Sequence, residues 1–130
     1  RRFYCLLPDL LGPGGTPLPE RPLSFAMLHR QFHLLLDSLG IERFTLAGYS
    51  MGGRLALYFA VQMAGRVQAL VVESANPGLR APAERAARLQ ADQQRARRML
   101  QIGMEAFLQE WYDMPLFASL HRNPQALRAM

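Results

Sequence analysis

The sequence predicts an α/β fold with a parallel sheet core, and three observations predict it. Apolar runs at residues 3–7, 43–47 and 67–72 have the length and content of buried strands, and amphipathic stretches separate them. The resulting order of strand, helix, strand, helix, strand is the alternation that a parallel sheet with right-handed crossovers requires. Half of the 130 residues are hydrophobic, enough to pack the core of one modest domain.

The first run, Phe3-Tyr4-Cys5-Leu6-Leu7, leads into residues 8–17, where repeated Gly and Pro exclude both helix and ladder and leave a surface loop. Ser24 is placed to cap a helix reaching Leu39. Phe25, Leu28, Phe32, Leu35, Leu36 and Leu39 recur there at three- and four-residue steps, and Gly40 follows as a stop. Residues 43–47 make the second strand. The next helix runs from Arg54 to Gln62, with Leu55, Tyr58, Phe59 and Val61 on a broad apolar side. Residues 67–72 are almost wholly apolar, as expected of a strand buried on both faces.

Residues 74–79 form a loop at the carboxyl end of that strand, where open α/β sheets place their ligands. From Pro82 onward the pattern is helical, over 84–102 and 104–111, with a break at Pro115. Two helices without an intervening strand interrupt the alternation, and the expectation is the helical start of a lid over the active edge of the sheet. The chain thus divides into a partial core at 1–80 and a helical lid segment at 81–130, both expected to be cut short within a longer protein.

The net charge is +5 and every cationic side chain is arginine. The arginines are spread out, clustering only at Arg95, Arg97 and Arg98, without the aromatic interleaving of a nucleic-acid surface. Their planar, bidentate guanidinium suits a carboxylate-bearing small molecule better. One cysteine, Cys5, excludes an internal disulfide framework, makes a reducing cytoplasm the natural compartment to expect, and is expected to be a buried strand residue. No run of 18 or more apolar residues marks a membrane insertion.

Gly48-Tyr49-Ser50-Met51-Gly52-Gly53-Arg54 carries the chemistry. Gly-x-Ser-x-Gly between a short apolar strand and a helix is the nucleophile elbow, in which a sharp turn holds the serine in a strained conformation. The turn excludes bulky neighbours, hence Gly48 and Gly52, and the Met51 N–H at the helix start is one half of an oxyanion hole. The fold this elbow implies is a partial α/β-hydrolase fold.

A serine hydroxyl needs a histidine within hydrogen-bond reach, itself oriented by a carboxylate. His29 and His33 precede the elbow, and His121 follows it in a lid-like stretch; each reads as a surface or satisfied histidine. Glu73 and Asp113 lie after Ser50, but neither follows a later strand in the way a triad acid should, so the triad acid and base are expected beyond Met130. Arg54 lies one helical turn after Ser50 and reads equally as a carboxylate grip or a solvated arginine. Arg85, Arg88, Asp92 and Arg95 share one helix face, a pattern that by itself reads as a solvated stripe with pairs such as Arg88 with Asp92. Trp111-Tyr112 reads as packing.

Four segments in order, Gly-Tyr-Ser-Met-Gly-Gly-Arg (48–54), Glu-Ser-Ala-Asn-Pro-Gly-Leu (73–79), Glu-Arg-Ala-Ala-Arg-Leu-Gln-Ala-Asp (84–92) and Trp-Tyr-Asp-Met-Pro-Leu-Phe-Ala-Ser (111–119), resemble one family. It is 2-succinyl-6-hydroxy-2,4-cyclohexadiene-1-carboxylate synthase of menaquinone biosynthesis, an α/β-hydrolase-fold lyase. The resemblance implies elimination of pyruvate from 2-succinyl-5-enolpyruvyl-6-hydroxy-3-cyclohexene-1-carboxylate, with no metal and no organic cofactor. It implies Ser50 as the triad serine that abstracts a ring proton with help from the histidine, and Met51 as the N–H donor to the oxyanion. It further implies Arg54 and Arg88 as grips on substrate carboxylates, and Tyr49 and Trp111 as pocket walls.

The sequence departs from that family at Pro13, where the family's loop carries histidine. The glycine-rich oxyanion loop expected before Arg1 is the other half of the oxyanion hole. Two alternatives stay open at this level: an ester or thioester hydrolase with Ser50 as true nucleophile, and a non-catalytic relative of the fold.

Overall fold

The computed structural model describes residues 3–12, 15–17, 19–20, 22–119 and 122. The chain divides into two compact units, Arg1–Gly78 and Leu79–Met130. The first holds α1 (Phe25–Ser38), β1 (Phe44–Tyr49), α2 (Met51–Gln62) and β2 (Val67–Glu73). The second holds α3 (Pro82–Ile102), α4 (Met104–Tyr112) and a 3-10 turn at Pro115–Phe117.

Local signals set both ends of α1. Ser24 is extended, and its Oγ accepts the Met27 N–H at 3.2 Å, satisfying one of the donors a helix start leaves unpaired. At the other end Gly40 takes φ 64°, its N–H donates to the Asp37 carbonyl at 3.0 Å, and the Ile41 N–H donates to the Leu36 carbonyl at 2.9 Å. That pair of bonds is a Schellman closure, and Ile41 and Leu36 meet in the core as its hydrophobic contact.

β1 and β2 pair in parallel, from Phe44 opposite Val67 to Tyr49 opposite Glu73, with one irregularity between Phe44 and Thr45. Alternate residues of β1, namely Phe44, Leu46 and Gly48, are half-buried, and Thr45, Ala47 and Tyr49 are exposed. The core of this unit is Leu36 of α1 with Leu55, Ala56 and Phe59 of α2 and Met63 after it. Phe32 stacks on Phe59 at 5.2 Å between ring centres and meets Phe44 edge-on at 5.9 Å, joining both helices to the sheet.

Arg66, in the α2–β2 turn, closes the far end of the unit. It donates through Nη2 to the Ile41 carbonyl, through Nε to the Glu42 carbonyl at 3.3 Å, and through Nη1 to Asp37 Oδ1 at 2.7 Å and His33 Nε2 at 3.2 Å. A guanidinium only donates, so His33 Nε2 is the acceptor and the ring proton sits on Nδ1, 3.1 Å from Asp37 Oδ2.

Three expectations are corrected here. Residues 3–7 are not a strand, because no described residues pair with their backbone; Leu6 rests on the core by its side chain alone while Phe3, Tyr4 and Leu7 stand exposed. Cys5 is accordingly exposed instead of buried. β2 is not buried on both faces either, since α2 packs across the β1–β2 pair and leaves Val71 59% exposed.

In the second unit, Pro82 occupies the first turn of α3, where its missing N–H costs nothing, and Glu84 reaches back to the Ala81 N–H at 3.4 Å. Arg85 Nη1 ties down the preceding loop through the carbonyls of Leu79 (3.1 Å) and Arg80 (2.6 Å). Gly103, at φ 82°, breaks α3 from α4. No residue of α3 is buried; it packs against α4, which carries Phe107 and Trp111, stacked at 6.1 Å, with Phe117 6.0 Å from Trp111.

Candidate functional site

The β1–α2 turn holds its backbone in a constrained conformation. Ser50, between Tyr49 and Met51, has φ 50° and ψ −114°, outside the regions open to ordinary L-residues. Its N–H donates to the Glu73 carbonyl at 2.9 Å and its carbonyl accepts the Arg54 N–H at 3.1 Å, so the end of β2 and the first turn of α2 both hold it in place. Its hydroxyl makes no capping bond to the helix, although serine is a favoured cap residue. Met51 is the first residue of α2, where an N–H has no intrahelical acceptor and the helix dipole favours negative charge.

The glycines of the turn have distinct roles. A Cβ on Gly48 would overlap the backbone of Gly52 and Gly53, with the Gly52 carbonyl carbon at 2.6 Å and the Gly53 nitrogen at 2.7 Å. Gly52, expected from the motif to be crowded too, faces open space. Gly53 is the second crowded position: a Cβ there would come within 2.6 Å of the Ala75 Cβ and 3.0 Å of the Gly48 carbonyl oxygen. Ala75 follows Ser74, which at φ 53° is the other non-glycine residue in the left-handed region among those described. Sequence reasoning missed the Gly53–Ala75 contact; the doubled glycine was its only trace.

Around this turn Tyr49 is 66% and Met51 55% exposed. Arg54 is also exposed, with its guanidinium carbon 5.9 Å from the centre of the Phe25 ring. His33 is engaged by Asp37 and Arg66. His29 corrects the expectation of a surface or satisfied histidine, since its Nε2 is buried without a partner among the described residues, its ring edge-on to Phe59 at 5.6 Å and Tyr58 at 6.2 Å. Burial first, and the neighbouring His33 second, lower its pKa. His121 and Pro13 lie outside the described residues. Among the described residues no group of three or more His, Cys, Asp and Glu could hold a metal ion.

Arg88 and Trp111 belong to the second unit, where a chain of contacts connects them. Arg88 Nε donates to Asp92 Oδ2 at 2.8 Å, and Arg95 Nη1 donates to Asp92 Oδ1 at 2.8 Å. The Arg95 guanidinium then lies 5.2 Å over the Trp111 ring. The hydrogen bond from Arg88 is the main reason the Asp92 carboxyl sits below its ordinary pKa, with further help from Arg95. Asp92, Arg95, Met99, Phe107 and Trp111 are among the residues lining a mainly apolar cleft of about 380 Å³ between α3 and α4. The Arg88–Asp92 pair was legible from its four-residue spacing, whereas the Arg95–Trp111 contact was not.

A parallel pair of strands, a helix packed across them and a serine at positive φ in the intervening turn accompany a match of residues 1–123 to the family described as alpha/beta hydrolase fold. The chain belongs to the α/β-hydrolase fold family. Within this family, the hydrolase-fold chain is 43% identical over 126 residues to a 2-succinyl-6-hydroxy-2,4-cyclohexadiene-1-carboxylate synthase of Yersinia pestis (strain Pestoides F), covering 95% of the chain and 44% of the relative. It is 35% identical over 128 residues to the protein PHYLLO, chloroplastic, of Arabidopsis thaliana, covering 92% and 8%. The structure of MenH from S. aureus superposes with a TM-score of 0.76 at 35% identity, covering 86% of the chain and 42% of that structure.

The resemblance read from four motifs is therefore matched across most of the hydrolase-fold chain. The chain spans less than half the length of these relatives. No described helix is long and apolar enough to cross a membrane.

Proposed function

We propose that the protein carrying this chain is a carbon-oxygen lyase of menaquinone biosynthesis, which eliminates pyruvate from 2-succinyl-5-enolpyruvyl-6-hydroxy-3-cyclohexene-1-carboxylate. The observation that carries this reading is the serine at positive φ in the β1–α2 turn of a chain 43% identical to a synthase so named. In this reading Ser50, assisted by a histidine outside the chain, takes a ring proton as the carbon-oxygen bond to the pyruvate enol breaks. Charge then develops on a substrate oxygen next to the Met51 N–H. Because the Ser50 N–H is occupied by the Glu73 carbonyl, Met51 is the first free donor at the helix start.

Arg54 and Arg88 supply cations for the substrate's carboxylates, and Tyr49 and Trp111 supply pocket walls. No metal or organic cofactor enters this scheme, and the partner is a small polycarboxylate. The test is pyruvate release by the full-length protein and its Ser50→Ala and Arg88→Ala variants. Loss of release in Ser50→Ala and a raised KM in Arg88→Ala are expected. A folded full-length protein that releases no pyruvate, yet accumulates an acyl group on Ser50 with an ester, refutes the lyase in favour of a hydrolase.

A further inference from the structure

Arg88 is a long, 57% exposed side chain, and a single surface ion pair to Asp92 is worth little to stability. Its geometry matters more than its energy. Asp92 takes Arg88 by Nε, which leaves the two terminal nitrogens of the guanidinium without a hydrogen bond to a described residue. Those nitrogens form the edge that grips a carboxylate in a fork. The other Asp92 oxygen is held by Arg95, whose guanidinium lies over Trp111, and Trp111 is stacked on Phe107. The free edge of Arg88 is thus referred, through one carboxylate and one cation, to an aromatic wall.

We infer that Asp92 is a positioning residue for substrate binding, holding Arg88 by Nε so that its outer edge meets a substrate carboxylate already oriented. The inference rests on the proposed role of Arg88. Arg88, Asp92 and Arg95 lie at four- and three-residue steps on one helix face, so the arrangement requires no motion of the backbone. Arg95 contributes by fixing the second oxygen of Asp92, which stops the carboxylate from turning away with Arg88.

The sign of the effect separates positioning from plain charge. Asp92 is an anion beside a site proposed to bind an anion, so by Coulomb's law alone its removal tightens binding. If it positions Arg88, its removal weakens binding, because a free arginine surrenders side-chain entropy when it grips. Steady-state pyruvate release by the full-length protein decides between them, with the polycarboxylate substrate of the preceding subsection and the variants Asp92→Ala, Asp92→Asn, Arg88→Ala and Arg88→Ala/Asp92→Ala.

The expected result is a KM raised about tenfold in Asp92→Ala, with kcat and melting temperature little changed. Asp92→Asn, whose carbonyl oxygen still accepts from Nε while its amide cannot accept from Arg95, returns KM part of the way to that of the unaltered protein, and Asp92→Ala adds nothing in the Arg88→Ala background. A KM unchanged or lowered in Asp92→Ala, or an effect that persists without Arg88, overturns the positioning role while leaving Arg88 as a substrate ligand. No KM effect in Arg88→Ala itself overturns both.

Discussion

Gly48 and Gly52 flank Ser50 symmetrically in the sequence, and the structure predicts opposite outcomes when each becomes alanine. At position 48 the added methyl meets backbone atoms of Gly52 and Gly53 at 2.6 and 2.7 Å, and backbone cannot rotate aside as a side chain does. Either β1 or the start of α2 must shift, at the upper end of the usual overpacking range, about 3 kcal/mol. At position 52 the methyl enters open space, and alanine in place of glycine in a helix gains up to about 1 kcal/mol. The two variants should therefore differ by about 3 to 4 kcal/mol, on the order of 10 °C in melting temperature. Thermal and urea denaturation of the full-length protein measure this directly. Variants that melt within a degree or two of each other, or a Gly52→Ala less stable than Gly48→Ala, would show that the crowding at Gly48 does not limit the turn.

Two further outcomes follow from the first unit. The folded state lowers the pKa of His29, mainly by burial, so it binds fewer protons there than the unfolded chain does. The stability this site contributes is fully present above the ordinary histidine pKa of about 6.5 and is lost as pH falls through the lower folded value; His29→Phe, which keeps the ring contacts to Tyr58 and Phe59, should flatten a plot of melting temperature against pH on its acid side, and an unchanged slope counts against it. Arg66→Lys should destabilise by about 1 to 3 kcal/mol in urea, because an ammonium cannot serve two carbonyls, Asp37 and His33 at once; a loss below about 0.5 kcal/mol would mean that the clasp is dispensable.

What the sequence made legible was what neighbouring residues decide. Ser24, the periodicity from Phe25 to Leu39 and the Gly40 stop lie within one stretch of chain, and the helix ended where those signals put it. The turn around Ser50 was legible for the same reason, as was the pairing of Arg88 with Asp92. What failed depended on distant partners. An apolar run becomes a strand only with a neighbour to bond, which residues 3–7 lack among the described residues. The apolar β2 looked buried because sequence cannot report which elements cover a sheet. Gly53 is constrained by Ala75, and Arg66 by residues on α1 and in its following turn, contacts that no local pattern announces. His29 was misread as a surface or satisfied histidine because an unpaired buried nitrogen leaves no mark in composition.

The backbone at Ser50 carries a consequence for how such a protein can evolve. A non-glycine residue at φ 50° and ψ −114° stores strain of about 1 to 3 kcal/mol. Glycine at this position would relieve that strain and remove the hydroxyl in one step. Under the proposed lyase reaction, selection for thermal stability alone would favour glycine at position 50, and selection for the chemistry would favour serine.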